Sequence, residues 1–595
     1  MSSLTFAPPD IAFETRPDGT SLLRSRTELA AFPRSVAEVF RTGSDTHPQR
    51  LLLAERRADG WEKLTWGQAR DKADRLAQAI LDRGLANRPI MVLSGNSSSH
   101  LLVTLAAFTL GVPLVPASTA YSLQSTDHLK LQAMADLVRP GLVFAEDPVT
   151  FGGALEAVGK GRTVVVGGSG TERLLGFDEL LTVEATEAVN ARSKAVDADA
   201  VAKILFTSGS TGAPKGVVIT HRMLTANQAQ MGQVWPFLAE QPPTLLDWLP
   251  WSHTFGGNHN LGLVLANGGS LWIDEGRPLP GLIDRTVANL ADVSPTLYFN
   301  VPAGYAALIP ILERDAEAAR RFFAELRLGF FAAAALPQQL WDRLEKLAVE
   351  HGSSMRMTTS WGLTETAPAA TTTHFSVSRS DCLGVPLPGV ELKLVPTGVK
   401  TEVRVRGPNV TPGFYRRPDL TAAAFDEEGF LRTGDAVDLT NPADPSAGLV
   451  FRGRIAEDFK LSTGTFVSVG TLRPALLSAS QGLLQDAVIC GQDCDYVAAL
   501  VWLHPDHAVR VGPDAVPEPS LRTELVAVLS RLADGGGGSS QRVERVLILT
   551  EAASLGTGEI TDKGYVNQQA VRDGRADLVE RLLSDPVHES VVVRG

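Results

Sequence analysis

ILFTSGSTGAPKGV, residues 204–217, is the stretch that decides the fold. Its first three residues are apolar and follow Ala202, as in a buried strand, and the next ten are nearly all Ser, Thr, Gly, Pro or Lys. Gly209 and Gly212 permit a backbone with positive φ, which lets successive N–H groups point at one anion. The polar side chains of the loop are Thr207, Ser208, Ser210, Thr211 and Lys215. The stretch therefore predicts a buried strand that ends in a phosphate-binding loop.

The spacing of this loop differs from the Walker A pattern. Pro214 stands between the glycines and Lys215, and neither Ser nor Thr follows that lysine. Composition alone leaves an ordinary Gly/Ser-rich loop as the alternative interpretation.

Apolar runs bounded by Gly and Pro alternate with amphipathic segments before this loop. Residues 89–95, 113–118, 141–147 and 162–168 have the composition of strands, and residues 98–111 that of a helix. Such alternation predicts an α/β fold with layered βα sheets, in which ligands bind at the carboxyl ends of the strands. Near residue 450 the pattern changes to short alternating strands. We therefore expect a large N-terminal domain, residues 1–454, and a small mobile α+β domain, residues 455–595.

Composition narrows the functional classes. A chain of 595 residues exceeds the size of a single hydrophobic core. The 55 basic and 67 acidic residues give a net charge of −12, which argues against nucleic-acid binding through a wide basic surface. Three sparse cysteines favour reduced thiols over a zinc site. The first residues lack the basic start and apolar run of a signal peptide, and residues 101–115 are too short and broken to span a membrane, so we expect a cytoplasmic protein.

The loop also carries a family resemblance. TSGSTGAPKG (207–216) resembles the phosphate-loop signature of the acyl-adenylate-forming (AMP-binding) enzymes, which include acyl-CoA synthetases, nonribosomal adenylation domains and firefly luciferase. Further motifs of this family follow in its order: WLPWSHTFGG (248–257), SWGLTETAP (360–368), GVPLPG (384–389), RTGD (432–435), GRIAEDFKLSTG (453–464) and GEITDKG (558–564). The resemblance runs from about residue 35 to the C-terminus. It implies an enzyme that uses ATP, Mg²⁺ and CoA.

At the phosphates, the resemblance implies that Glu365 and Thr211 hold Mg²⁺ and that Thr364 lies near the α-phosphate. A hard cation on oxygen ligands offsets the repulsion between a carboxylate and the phosphates that it attacks. A solvated surface glutamate is the alternative for Glu365.

Around the nucleoside, the resemblance implies contacts by five residues. Ala334 and Ala335, within the run FFAAAALPQQ (330–339), would lie against adenine. Asp435 would accept hydrogen bonds from the ribose hydroxyls, and Arg454 would support the same nucleotide. Trp361 stands where the family usually has Tyr, and would stack on adenine or line the acyl pocket; a core tryptophan is the alternative.

Two further residues are implied at the reacting carboxylate. His253 would border the acyl site and orient the carboxylate, although a lone His is more often structural. Lys563 would neutralise the charge shared by the carboxylate and the α-phosphate. Asp562 precedes it where the family has Gly, but Lys563 is the only lysine after Lys460.

The segment after Arg454 departs from the family's pattern. The family commonly places Asp or Lys two residues on, at the hinge about which the small domain turns, and this chain has Ala456 followed by Glu457 and Asp458. The hinge residue is therefore left open among these three. The loop that would approach CoA is matched by Lys460 and Gly464.

These motifs predict a two-step ligase in which a carboxylic acid reacts with ATP to an acyl-adenylate, and CoA then displaces AMP. The spellings LPWSHTFGGNHN, GRIAEDFKLSTGT and GEITDKGY look like those of bacterial feruloyl-CoA synthetases, so the expected substrate is a small aromatic acid of the hydroxycinnamate class. Benzoate and a medium-chain fatty acid are the alternative substrates, and a carrier-protein thiol is the alternative acceptor. The sequence does not distinguish a monomer from a homodimer. A luciferase-type oxygenase and an inactive nucleotide-binding sensor are the alternatives from other classes.

Overall fold

The fold is described for residues 4–171, 174–208, 214–279, 281–398, 400–554, 557–560 and 566–595, in a computed structural model. The strands up to Arg454 are β1 (Ile11–Thr15), β2 (Ser21–Ser25), β3 (Leu51–Arg57), β4 (Gly60–Thr65), β5 (Ile90–Leu93), β6 (Leu114–Pro116), β7 (Leu142–Ala145), β8 (Thr163–Val166), β9 (Leu175–Gly176), β10 (Val201–Ser208), β11 (Pro214–Thr220), β12 (Thr244–Asp247), β13 (Ser270–Ile273), β14 (Leu297–Asn300), β15 (Leu328–Phe331), β16 (Arg356–Gly362), β17 (Ala369–Thr372), β18 (Cys382–Pro386), β19 (Glu391–Thr397), β20 (Lys400–Arg406), β21 (Leu431–Leu439) and β22 (Leu449–Arg454).

The helices of the same part of the chain are α1 (Val36–Thr46), α2 (Trp66–Asp82), α3 (Ser98–Leu110), α4 (Thr119–Leu123), α5 (Leu129–Val138), α6 (Gly152–Val158), α7 (Phe177–Leu180), α8 (Glu187–Lys194), α9 (His221–Val234), α10 (Leu261–Ala266), α11 (Ile283–Leu290), α12 (Pro302–Arg314), α13 (Ala316–Phe323), α14 (Gln338–Glu350) and α15 (Pro418–Ala424). A π-helix, Thr254–Asn260, precedes α10. After Arg454 follow β23 (Phe459–Lys460), β24 (Phe466–Val467), α16 (Val469–Ala479), β25 (Leu484–Cys490), β26 (Val497–Leu503), α17 (Pro519–Asp534), β27 (Val543–Ile548), α18 (Gln568–Gly574), α19 (Ala576–Leu583) and β28 (Val591–Val593).

Helix α3 illustrates how local sequence specifies these elements. The Ser97 side chain accepts a hydrogen bond from the His100 N–H at the N-terminus, and Gly111 ends the helix with φ +65°. Its residues from His100 to Leu110 are buried on every side, so α3 lies inside the molecule and not on its surface.

The sheets confirm the predicted α/β class. Within the described residues, one sheet has the order β11-β10-β6-β5-β7-β8-β9 and another the order β12-β13-β3-β4. The largest sheet has the order β1-β2-β19-β20-β21-β22-β18-β17-β16-β15-β14, and β14, β15 and β16 are parallel in it. Its other pairs are antiparallel; Thr397 at the end of β19, for example, lies opposite Lys400 at the start of β20.

The phosphate-loop stretch forms two strands. Strand β10 lies inside its sheet, and β11 returns antiparallel to it, with Thr207 opposite Lys215. The two strands meet at the segment 209–213, which lies outside the described residues.

The buried apolar side chains fall into separate clusters along the chain. Three clusters contain residues between Leu4 and Leu449, and two others contain residues between Phe459 and Val592. The second group packs around the sheet β25-β26-β27-β28, with α16 and α17 among its helices. A large N-terminal α/β unit is thus followed by a small α+β unit.

In the described part of the chain, no helix combines the length and the apolar character needed to cross a membrane.

Candidate functional site

Asp435 is the most informative residue of the site because its carboxylate is buried and only partly bonded. Its side chain lies on β21 and the residue is 4% exposed. The indole Nε1–H of Trp361, on β16, donates to Asp435 Oδ2 at 3.0 Å. The Oδ1 atom faces Arg454 Nε at 3.4 Å in an ion pair, yet accepts no hydrogen bond from any described residue. One buried acceptor is therefore available to a ligand, as a ribose hydroxyl requires.

Burial and the neighbouring groups shift the pKa of Asp435 in opposite directions. Burial raises the pKa of Asp435, and both the Arg454 guanidinium and the Trp361 hydrogen bond act against that rise. Burial also raises the pKa of Glu457, and the Arg454 guanidinium again acts against the rise. Arg454 pairs with Asp435 across β21 and β22 but keeps an exposed side chain. The arginine therefore lies between a buried carboxylate and the start of the small unit.

The Thr-Glu motif forms a 3-10 turn, Thr364–Thr366, directly after β16. Thr411 connects this turn to the phosphate-loop strand: its N–H donates to Glu365 O at 2.8 Å, and its Oγ1 donates to Val218 O, on β11, at 2.6 Å. Thr364 is buried and Glu365 half-buried. The fold thus brings the turn and the strand that carries Lys215 together through one threonine.

Several predicted phosphate ligands lie outside the described residues, namely Gly209, Ser210, Thr211 and Gly212, and so does Lys563. Thr207 and Lys215 are half-buried on β10 and β11, and Ser208 ends β10. Lys215 thus belongs to a paired strand, which limits the directions that its side chain takes.

The donor set suits Mg²⁺ that arrives with a nucleotide. Among the described residues, no group of three or more His, Cys, Asp or Glu side chains is arranged to hold a metal ion. Mg²⁺ typically takes one or two carboxylates and completes its octahedron with waters and substrate phosphates. The single carboxylate of Glu365 fits such a site.

The small-residue run forms the loop between β15 and α14. Ala333 has φ +76°, a left-handed conformation that costs a residue with a Cβ about 1–2 kcal/mol. Ala332 and Ala334 are half-buried, and Ala333 and Ala335 are exposed. The run is a strained loop at the carboxyl end of a parallel strand and not the helix start that composition alone would suggest.

His253 immediately precedes the π-helix, and the residue is 9% exposed. Its backbone carbonyl accepts a hydrogen bond from the Gly257 N–H at 2.8 Å. The preceding loop is fixed by Asn96, whose side chain donates to Leu249 O and accepts from Trp251 N, both at 2.9 Å. Gly257 is required here, because a Cβ on it would meet Trp251 O at 2.2 Å.

Half-buried apolar side chains directly follow the carboxyl ends of β12, β14, β15 and β16, and one more lies in the π-helix. They are Trp248, Phe255, Val301, Ala332 and Leu363. Trp248 Nε1 donates to Asn300 Oδ1 at 3.2 Å, which joins the ends of β12 and β14.

The segment beyond Arg454 carries the predicted CoA-loop residues on its surface. Lys460 and Gly464 are exposed on the β23–β24 hairpin. Asp458 forms an ion pair with Lys400 of β20, and its Oδ1 accepts from Val469 N at 3.1 Å at the start of α16. Gly453 and Gly470 pack against each other so closely that a Cβ on Gly470 would lie 2.3 Å from Gly453 Cα.

Sequence reasoning missed three polar residues of this region: Thr411, Asp247 and Lys203. Burial raises the pKa of Asp247 to about 7, and its Oδ2 accepts from Asn260 Nδ2, on the π-helix, at 2.9 Å. Lys203 Nζ donates to Gly257 O, on the same helix, at 2.6 Å. A charged residue inside an apolar run was the available signal for Lys203 and Asp247; the sequence offered none for Thr411.

Comparisons with known proteins agree with this geometry. Residues 40–415 match the model of a family described as AMP-binding enzyme. The chain is 28% identical over 394 residues to 3-[(3aS,4S,7aS)-7a-methyl-1,5-dioxo-octahydro-1H-inden-4-yl]propanoyl:CoA ligase of Rhodococcus jostii (strain RHA1), which covers 64% of this chain and 72% of that protein. It is 24% identical over 613 aligned positions to a carboxylic acid reductase of Mycobacterium marinum, which covers 93% of this chain and 49% of that protein.

The chain thus spans about half the length of the reductase, and slightly less than half of two further curated relatives, a probable CoA ligase of Humulus lupulus and a long-chain-fatty-acid–CoA ligase of Escherichia coli. Among solved structures, ATP-bound MatB from Rhodopseudomonas palustris has a TM-score of 0.67 at 22% identity, covering 91% of this chain and 99% of that one. That likeness supports the fold.

Proposed function

Since the chain belongs to the AMP-binding enzyme family, we propose that it is an ATP-dependent carboxylate–CoA ligase that acts through an acyl-adenylate. The observation that carries the proposal is the buried Oδ1 atom of Asp435, which has no hydrogen-bond donor among the described residues and lies beside Trp361 and Arg454. A vicinal diol supplies the missing donor. The proposed unit boundary lies at Arg454, between residues 1–454 and 455–595.

In the first half-reaction, a carboxylate oxygen attacks the α-phosphorus of ATP, the bond to the bridging oxygen breaks, and pyrophosphate leaves. Asp435 would hold the ribose, while Ala334, Ala335 and Trp361 would border adenine. Mg²⁺ on Glu365, when bound, would neutralise phosphate charge. The catalysis rests on positioning and on neutralised charge, so no covalent nucleophile on the protein is required.

At the same centre, Thr207, Lys215 and the loop residues 208–212 would contact the phosphates, with Thr211 also at the metal and Thr364 near the α-phosphate. His253 would orient the carboxylate, and Lys563 would neutralise the charge that it shares with phosphate.

In the second half-reaction, the CoA thiolate attacks the acyl carbonyl carbon, the bond from that carbon to the phosphate oxygen breaks, and AMP leaves. Lys460 and Gly464, exposed on the β23–β24 hairpin, would approach CoA after the small unit turns about residues 456–458.

We propose a hydroxycinnamate such as ferulate as the acid. The half-buried Trp248, Phe255 and Leu363 support a flat aromatic substrate. Benzoate and octanoate test the alternatives within the same chemistry.

The test measures ATP–pyrophosphate exchange with each acid, and then AMP and thioester formation after CoA is added. Ferulate is expected to give the highest kcat/KM in both assays. Exchange with benzoate or octanoate alone would overturn the substrate, and exchange without thioester on CoA would overturn CoA as the acceptor.

A matched pair of variants tests the carrying observation. D435N is expected to raise the KM for ATP by about 10-fold or more, because a charged acceptor becomes an amide. D438N, on the same strand but exposed, should leave that KM within about twofold, in line with a surface change. Equal KM values for both variants would remove Asp435 from the nucleotide site.

Lys563 is tested by K563A. Exchange should fall by about 100-fold or more, because charge neutralisation at the reacting centre is lost. Thioester formation from synthetic acyl-AMP should continue, and equal loss of both steps would contradict the role.

A further inference from the structure

Lys203 occupies a position where lysine is rarely found. It lies on β10, four residues before Thr207, opposite Ile219 of β11 and Leu114 of β6. The residue is 2% exposed, within the interior of a sheet. Lysine is almost never buried to this degree without an opposite charge.

The ammonium group of Lys203 contacts two neutral oxygens. Its Nζ donates to Gly257 O at 2.6 Å and to Asn258 Oδ1 at 3.1 Å. The Phe108 ring, on α3, lies 5.7 Å from Nζ, and His100 of the same helix is the titratable group that faces it. Among the described residues, no carboxylate forms a salt bridge with Lys203.

Both acceptors belong to the π-helix that follows His253. The Gly257 N–H donates to His253 O, and Asn258 Nδ2 donates to Thr254 Oγ1 at 3.1 Å. Lys203 is thus separated from the His253 backbone by one residue of the helix. A π-helix is uncommon, and it is often found at functional sites.

Stability alone gives a weak reason for this lysine. Replacing a buried charged group by an apolar one of similar size is often neutral or stabilising. Burial lowers the pKa of Lys203 to about 7, so folding discourages its charge. Local rules are typically broken in this way at functional sites.

We propose that Lys203 is a positioning residue for adenylation: its two hydrogen bonds fix the π-helix Thr254–Asn260 to strand β10, and so hold His253 and Phe255 against the carboxylic acid. This inference rests on the proposed function. Strand β10 continues into the phosphate loop, so the same contact joins the acid side of the site to the phosphate side. A displacement of about 1 Å at a reacting group can cost about 100-fold in rate.

The test compares K203M with K393M in the exchange assay, after a thermal melt has shown that each variant folds. Lys393 is also buried in the large unit, but on β19 and away from the π-helix. K203M is expected to raise the KM for the acid by about 10-fold or more and to change the KM for ATP by less than about threefold. K393M should leave both KM values unchanged.

Asn258 supplies the second arm, which also serves if K203M does not fold. N258L removes the acceptor and should raise the KM for the acid as K203M does, whereas N258D keeps an oxygen toward Lys203 and should restore it. The double variant K203M/N258L should lose less than the sum of the two single losses, because the two residues share one of their hydrogen bonds.

An unchanged KM for the acid in K203M, or in N258L, while the wild type is active would overturn this inference alone. Absence of exchange in the wild type with every acid would overturn the proposed function and the inference together.

Discussion

Lys203 and Lys393 are both buried lysines of the large unit, at 2% and 7% exposure, but their surroundings differ completely. Lys393 forms ion pairs with Asp426, at 3.2 Å, and with Glu428. Burial alone would lower its pKa, yet the hydrogen bonds to Glu428 and Asp426 outweigh burial and raise it. Lys203 has two neutral oxygens, and its pKa falls to about 7.

The region of Lys393 is a paired network: Arg404 also binds Asp426, and Arg16 also binds Glu428. Within the part of the chain that the structure describes, the candidate site instead has Lys203 without a carboxylate partner and Asp435 Oδ1 without a hydrogen-bond donor, and Ala333 is left-handed. The contrast indicates that buried charges are balanced by opposite charges around Lys393, whereas in the candidate site Lys203 is held by neutral oxygens and Asp435 keeps one acceptor for a ligand.

The largest effect is expected when the paired network is broken. K393M should lower the free energy of unfolding by about 1.5–3 kcal/mol, because Asp426 and Glu428 each lose one charged donor and keep only Arg404 and Arg16. The melting temperature or a denaturant midpoint measures the loss. A K393M variant as stable as the wild type would mean that the network contributes nothing and that the contrast with Lys203 is one of geometry only.

The two regions should also respond to pH in different ranges, although a rising pH stabilises the fold in both. The folded pKa of Asp426 is lowered to about 2: burial alone would raise it, but hydrogen bonds from Phe430 N–H, Arg404 and Lys393 outweigh burial. Its contribution is therefore present above its ordinary value of 3.8 and is lost as pH falls toward 2. Lys203 has a folded pKa of about 7, below the ordinary 10.5, so in this range the unfolded chain binds more protons and rising pH stabilises the fold.

We therefore expect the melting temperature of the wild type, relative to K203M, to increase from pH 7 to pH 10. The increase corresponds to at most about 1.4 kcal/mol for each pH unit. A difference that stays flat over this range would show that Lys203 keeps an ordinary pKa.

Trp361 tests a carboxylate that is only partly bonded: the indole N–H donates to Asp435 Oδ2, while Oδ1 has no hydrogen-bond donor among the described residues. W361F keeps the aromatic face and removes the indole N–H, so the KM for ATP should rise about 10-fold, which corresponds to about 1.4 kcal/mol. Trp66 offers the control, because its Nε1–H donates to Gly269 O at 3.2 Å in a buried part of the chain outside the site. W66F should lower stability and leave that KM unchanged; an equal change in both variants would remove Trp361 from nucleotide positioning.

The smallest effect is expected at the strained alanine. A333G removes a Cβ from a left-handed backbone, which should raise the free energy of unfolding by about 0.5–1 kcal/mol after the entropy cost of glycine. A denaturant titration measures the change. If A333G is instead less stable than the wild type, the left-handed backbone of Ala333 is not a source of strain.

The sequence predicted the α/β class and the strands and helices of its regular segments, because alternating apolar runs bounded by Gly and Pro determine them directly. Residues 98–111, for example, form α3, and residues 141–147 contain β7. It did not predict that Lys215 lies on a strand, since PKGVVIT (214–220) is a strand through its antiparallel pairing with β10, which a sequence does not show.

The candidate site was predictable in its residues but not in their contacts. Trp361 and Asp435 were both named from motifs, but their hydrogen bond depends on strands β16 and β21, which are not neighbours in the sheet. Lys203 was overlooked because the apolar run around it was interpreted simply as a buried strand. The sequence does not show that Gly257 O and Asn258 Oδ1 lie next to its ammonium group. The π-helix was likewise unpredicted, because TFGGNHN contains two glycines and no helical periodicity.

The close packing of Gly453 against Gly470 has a practical consequence for trapping states. In the arrangement described, even one methyl group on Gly470 would lie 2.3 Å from Gly453 Cα, so G470A acts as a steric wedge. Such a wedge disfavours this one placement of α16 without touching any proposed ligand contact. G470A therefore offers a way to enrich a conformation in which α16 lies elsewhere. The rate of exchange between the two conformations could then be measured.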